Sequence, residues 1–447
     1  MEMDAVKTMT RNPLFRTLIA ALAAVLSGCA STAHPIADAS RLTDEQLLAR
    51  VHAILADTPL IDGHNDIPWQ YRQRAGNDLD RLDLGADLTQ LDNPTHTDIP
   101  RLRAGRVGGQ FWSVYIPIRR PGGSDGDARI VFEQIDLVHR IVERYSDTFE
   151  IAYTADDVER IHRAGKIASM MGMEGGHSIE NSLGVLRMLY DAGARYMTLT
   201  HSLGLFWADS ATDEARVDGL SPFGVQVVRE MNRLGMLVDL SHVSAATMHD
   251  ALDAAEAPVI FSHSSAYAIC RHPRNVPDEV LVRLRDNGGV VMVTFFPWYV
   301  SEELRLWMDA ERVERDRLSA ANPDPAQRQA IEDGLATWRE AHPRPWPTLS
   351  QVADHIDHVR KVSGIDHIGL GSDYDGMPPG PIGLEDVSKY PMLFVELLRR
   401  GYSEDDLRKI AGRNVLRVMR QCEQVAARLQ QEREASSATL EQLDGAR

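Results

Sequence analysis

Cysteine is scarce: three residues in 447, too few for a disulfide framework. Basic residues are outnumbered, with 48 Lys+Arg against 65 Asp+Glu and a formal net charge of −17. A sequence-independent grip on DNA or RNA needs basic surface, so nucleic acid is excluded as the expected partner. Aromatics make up 6% of the chain. No apolar run reaches the roughly 20 residues that a spanning helix needs. There is no Gly-rich phosphate loop after the first strand-like run, and no Ser-His-Asp elbow. What remains is an ordinary globular balance, 43% hydrophobic and 25% charged.

The first residues read as an address. The apolar run 17–28 (TLIAALAAVLSG) follows Lys7, Arg11 and Arg16 and ends in small residues. Its length fits the core of an export signal. Leu26-Ser27-Gly28-Cys29 resembles the bacterial lipobox, which implies cleavage before Cys29 and acylation of that cysteine. An ordinary signal peptide with an incidental cysteine is the alternative. The expected organisation is a signal over 1–28, a tether and first helix over 29–57, one catalytic barrel over 58–422, and a polar tail over 423–447 that frays into disorder. A lipid-anchored envelope protein, on the outer-membrane or periplasmic side, is the expected location.

The middle of the chain alternates. Short runs rich in Val, Ile, Leu and Met recur at 58–63, 109–117, 167–174, 195–201, 236–242, 258–263, 289–296 and 367–373. Each reads as a strand buried on both faces. Helix starts follow them: Ser221-Pro222 is an N-cap with proline at the first position, and Ser244, Asp278 and Ser350 offer further caps. Gly235 and Gly288 fall where helices should stop. Eight strand-then-helix units predict an α/β fold of the (β/α)₈ TIM-barrel type. A doubly wound open sheet is the alternative. Residues 302–349 are too long for a loop and predict a helical insertion after the run at 289–296.

Barrel active sites gather at the C-terminal ends of strands. Here those ends carry His64 and Asp66, Glu174, His201, Asp239 and His242, His263, and Asp373 with Asp375. His64 and Asp66 are two apart, so on a strand both point one way. Burying several histidines and carboxylates together is costly without a cation. The pattern predicts two divalent ions sharing Glu174, one held by His64 and Asp66, the other by His242 and His263. Histidine-rich mixed donors suit Zn²⁺ best. His177 reads as a capping or supporting histidine. His201 reads either as a satisfied core histidine or as a reacting one. Asp239 is expected to orient rather than ligate, and Asp375 to serve a turn. His249, His355, His358 and His367 read as structural or solvated.

Several long blocks then carry a resemblance: DGHNDIPW (62–69), GQFWSVY (109–115), MEGGHSIENSLGVLRMLYDAGARYMTLTHS (173–202), LSHVSAATM (240–248), PVIFSHSSAY (258–267) and GLEDVSKYP (383–391). Over roughly 58–420 the chain resembles the membrane dipeptidase (renal dipeptidase) family of zinc peptidases, in a bacterial lipoprotein form. The resemblance implies the same five ligands, His64, Asp66, Glu174, His242 and His263. It implies that His201 polarises the substrate, that Asp373 handles the proton, and that Arg274 and Tyr299 hold the substrate's carboxylate end. It implies small dipeptide substrates, including those ending in a D-residue; similar enzymes are often homodimers. Cys270 has no cysteine partner near 302, where Glu302 stands, and is expected to be a free thiol. The alternatives are another binuclear hydrolase of this barrel class, such as a lactonase or amidase, or a non-catalytic peptide-binding lipoprotein.

Overall fold

The computed structural model describes residues 42–324 and 327–445. The signal, Cys29 and most of the tether lie outside the described residues. From Asp44 onward the chain is one compact unit.

Nine parallel strands form one sheet among the described residues. They are β1 (Leu60–Asn65), β2 (Val107–Ser113), β3 (Phe149–Ile151), β4 (Ile167–Glu174), β5 (Ala194–Thr198), β6 (Leu237–Asp239), β7 (Ile260–Phe261), β8 (Val290–Val293) and β9 (Ile368–Leu370). β1 pairs with both β2 and β9, so eight strands close a barrel in the order β1, β2, β4, β5, β6, β7, β8, β9. This is the expected (β/α)₈ architecture, and the open sheet is excluded. The ninth strand, β3, was not among the eight apolar runs. It covers the first half of one edge of β4, from Ile167 to Ser169, and β5 covers the second half from Met171. Only Phe149 of β3 is buried, which is why it leaves no apolar run.

The barrel strands are buried throughout β1, β2, β4 and β8. Ile61, Phe111, Met170, Tyr196 and Met292 share an apolar cluster with Val415, Leu416, Val418 and Met419 of the helix Asn414–Glu432. Each such side chain contributes about 1.5–3 kcal/mol on burial. Several strands are shorter than their sequence runs, since the chain leaves the ladder early to place side chains at the rim.

Helix caps follow local chemistry. Ser221 accepts from Gly224 N and Ser244 from Thr247 N, each at a helix start. Gly235 and Gly288 end their helices at φ 85° and 84°, the left-handed region where a side chain is disfavoured. Two caps differ from expectation. Pro277 rather than Asp278 precedes the helix Asp278–Asn287, and Thr348 rather than Ser350 caps Leu349–Val362 through a capping box with Gln351.

Within 302–349 the chain forms two helices, Glu302–Ala321 and Arg328–Ala341. The tail beyond 423 does not fray as expected. Its helix runs to Glu432, and the strap after it docks on the helix Pro222–Leu234. Asp444 accepts from Ser221 Oγ at 2.5 Å and Phe223 N at 3.1 Å, while Leu440 is buried. Polar composition hid these anchoring contacts. Among the described residues no helix is long and apolar enough to cross a membrane.

Candidate active site at the strand ends

Glu174 ends β4 and lies at the centre of the site. Its Oε1 faces Nε2 of His242 at 3.1 Å, His263 at 3.5 Å and His201 at 3.6 Å. Its Oε2 lies 3.4 Å from His64 Nε2, which is 3.3 Å from Asp66 Oδ2. Nε2 of His242 and of His263 stand 2.9 Å apart. Asp373 groups with His64 and Asp66, their ligand atoms lying within 4.8 Å of one another. Every ligand type expected from the strand ends therefore converges, and His201 and Asp373 join them.

The supporting bonds fix which nitrogen faces inward. Tyr196 OH donates to Gly63 O at 3.2 Å and lies 2.7 Å from His64 Nδ1. Its proton is thus spent on the carbonyl, so the oxygen accepts Nδ1–H and the Nε2 lone pair points at the carboxylates. The same logic holds at His263. Ser262 Oγ donates to Asp239 Oδ2 at 2.6 Å and lies 2.8 Å from His263 Nδ1. Asp239 therefore orients and does not ligate. The Tyr196 ring crosses β4 at Gly172, where a Cβ would fall 1.9 Å from its Cζ. Gly376 serves a similar close approach, since its Cβ would meet Asp66 Oδ2 at 2.2 Å and Asp373 Oδ1 at 2.7 Å.

The donor set fits metal ions. His64 Nε2 is buried without a hydrogen-bond partner, facing two carboxylates. Burial alone lowers the affinity of His64 for a proton, but Tyr196, Glu174 and Asp66 raise it well above the ordinary range. Positive charge is favoured at that point. His242 and His263 are pushed well below the ordinary range, by burial first and then by neighbouring cations, so both imidazoles stay neutral and free to ligate. Burial, reinforced by Asp66 and Glu174, holds Asp373 well above the usual carboxylate range against the pull of His64. His242 and Asp373 take left-handed backbone at φ 69° and 72°. For non-glycine residues this costs roughly 1–3 kcal/mol, strain that clusters at functional sites.

A cavity of about 490 Å³ opens over this cluster. Arg274 and Tyr299 line it, with the guanidinium 5.2 Å from the Tyr299 ring centre. Arg274 is 1% exposed, its guanidinium donates to Ser264 Oγ and His263 O, both at 3.3 Å, and its Nε has no partner. No carboxylate pairs with it among the described residues. Burial pushes the Tyr299 hydroxyl up to about 12. Sequence reasoning missed Trp69 and Tyr115 in the wall, Ser113 donating to Glu174 at 3.3 Å, and the Tyr196 support. Nothing in their spacing marks them. His177 bonds Ile116 O at 3.2 Å and lies outside the ligand groups. Cys270 is free and buried.

A family model described as Membrane dipeptidase (Peptidase family M19) matches residues 48–433. The dipeptidase tcpJ of Claviceps purpurea (strain 20.1) is 46% identical over 376 residues, covering 82% of this chain and 77% of that relative. The dipeptidase verJ of Clonostachys rogersoniana is 41% identical over 406 residues, covering 89% and 92%. The crystal structure of the probable dipeptidase PvdM from Pseudomonas aeruginosa superposes with a TM-score of 0.72 at 24% identity, covering 86% of this chain and all of the other. A metallo peptidase from Rhodobacter sphaeroides, liganded with a phosphinate mimic of L-Ala-D-Ala, gives 0.65 at 24% over 82% of this chain. The two solved structures speak to the fold alone, while the family match spans nearly every described residue. The chain belongs to the membrane dipeptidase family, peptidase family M19, and is a metallopeptidase of the dipeptide-hydrolysing class.

Proposed function

We propose that the protein hydrolyses the single amide bond of dipeptides with two zinc ions, and that it accepts a D-residue at the C-terminal position. The observation that carries this reading is Glu174, whose two oxygens are each approached by inward-facing imidazoles. His64 and Asp66 would hold one ion, His242 and His263 the other, with Glu174 between them. Such ions supply Lewis acidity toward a water and toward the scissile carbonyl.

The chain's own groups do the rest. Arg274, buried without a carboxylate partner, receives the substrate's C-terminal carboxylate, and Tyr299 closes the same wall. His201 Nε2 reaches the site from beyond the end of β5 and serves as a donor to the carbonyl oxygen as charge develops there. The surroundings of Asp373 raise the proton affinity of its carboxylate. It takes a proton from the attacking water and returns it to the leaving amine. The cavity of about 490 Å³, walled by Trp69, Tyr115 and Phe296, has room for a dipeptide. Tolerance of a D-residue draws support from the structural similarity to the enzyme that binds an L-Ala-D-Ala mimic. Acylation of Cys29 and anchorage at the cell envelope belong to the same proposal, checked by lipid labelling of wild type against Cys29→Ser.

The test is a metal count on purified protein, with release of amino acids from L-Ala-L-Ala and L-Ala-D-Ala before and after chelation. Two zinc ions per chain and chelator-sensitive cleavage of both peptides are expected. Cleavage of neither dipeptide, or full activity without metal, would overturn the reading.

A further inference from the structure

The proposed reaction assigns partners to the substrate's carboxylate and amide but none to its free amine. Four carboxylates line the cavity: Asp66, Glu174, Asp373 and Asp375. The first two are taken as metal ligands, and Asp373 is needed for proton transfer. Asp375 is unassigned. Resting on the dipeptidase reading, we propose that Asp375 is the counter-charge for the substrate's N-terminal ammonium and selects peptides with a free amine.

The geometry supports this. Asp375 is 6% exposed, yet its Oδ2 has no hydrogen-bond partner. Its other groups are fully engaged. Oδ1 accepts from His96 N at 2.8 Å, the carbonyl accepts from Gln70 Nε2 at 2.6 Å, and the amide donates to His96 Nδ1 at 2.9 Å. These bonds hold the residue in left-handed backbone at φ 67°. A buried carboxylate oxygen left unpaired in a braced residue is costly unless a ligand completes it. Because Nδ1 of His96 accepts the Asp375 amide, it cannot also donate to the carboxylate. Burial lowers the proton affinity of that histidine and keeps it neutral. Asp375 also lines the adjoining cavity of about 720 Å³, so an ammonium seated there leaves room for the first side chain.

Asp375→Asn is the informative variant. Asparagine tolerates left-handed backbone, keeps the acceptor for His96 N and removes the charge. KM for L-Ala-L-Ala and the inhibition constant of propionyl-L-alanine, which lacks only the amine, are measured on the metal-loaded enzyme. The variant is expected to raise KM roughly 10- to 100-fold, with the inhibition constant of the amine-free compound moving less than about twofold. Asp375→Glu should recover part of the loss. An unchanged KM, an equal loss for both compounds, or loss of bound metal overturns the inference. A wild-type enzyme that cleaves no dipeptide sinks the dipeptidase reading as well, whereas normal cleavage with an unchanged KM in the variant sinks this inference alone.

Discussion

The hydroxyl of Tyr196 lies 2.7 Å from Nδ1 of His64 and turns the other nitrogen of that ring toward Asp66 and Glu174. Its ring crosses the neighbouring strand over Gly172, so the support needs both a tyrosine and a missing side chain. Partners of this kind fix the tautomer and basicity of a ligand, and their loss typically costs 10- to 100-fold in metal affinity, on the order of 1.4–2.7 kcal/mol.

Tyr196→Phe should therefore keep the fold and weaken one ion. The ring and its packing remain while the hydroxyl goes. A competition titration against a calibrated chelator should show about a tenfold or larger drop for one of the two proposed zinc ions. Unchanged affinity for both would mean that packing alone orients His64.

Arg274→Lys should keep the charge and lose the fork. A guanidinium meets a carboxylate through two parallel bonds and an ammonium does not. KM for dipeptides should rise about tenfold or more, with kcat little changed, and Arg274→Met should be worse by the roughly 2–5 kcal/mol of a truncated buried pair. Wild-type kinetics in the lysine variant would remove the carboxylate role.

His355 makes stability depend on pH. Its Nδ1 accepts from Ala266 N at 3.0 Å and its Nε2 donates to Val300 O at 2.9 Å, an arrangement available only to the neutral ring. Burial pushes its pKa down to about 4 in the folded chain. The unfolded chain, at about 6.5, takes up the proton first. The contribution is thus complete above about pH 6.5 and is lost as pH falls toward 4, amounting to about 2 kcal/mol by pH 5. Thermal melts of wild type and His355→Gln from pH 7.5 to 5 should show a shallower acid decline in the variant. Parallel curves would show that the imidazole does not titrate on unfolding.

The tail should be structural. Asp444 caps the helix Pro222–Leu234 from outside it, while Arg187 and Glu230 hold the strap at Ser436. Asp444→Ala should cost about 0.5–2 kcal/mol, the usual worth of an N-cap. Removing 434–447 should lower the melting temperature further while leaving the metal count intact. A truncated chain as stable as the full one would show that these contacts add nothing.

The sequence alone determined the barrel and which side chains stand at its strand ends. Parallel strands buried on both faces leave apolar runs, and a barrel displays function at strand ends, so the run boundaries pointed to His64, Asp66, Glu174, His201, His242, His263 and Asp373. It also determined the helix ends at Ser221 and Gly235, because caps are local. Tertiary structure decided the rest. The partners that orient His64 and His263, the absence of a carboxylate beside Arg274, the unpaired oxygen of Asp375 and the docking of Asp444 each join segments distant along the chain. No periodicity encodes such contacts. They exist only once the barrel has closed and fixed which side chains share a volume from which water is excluded.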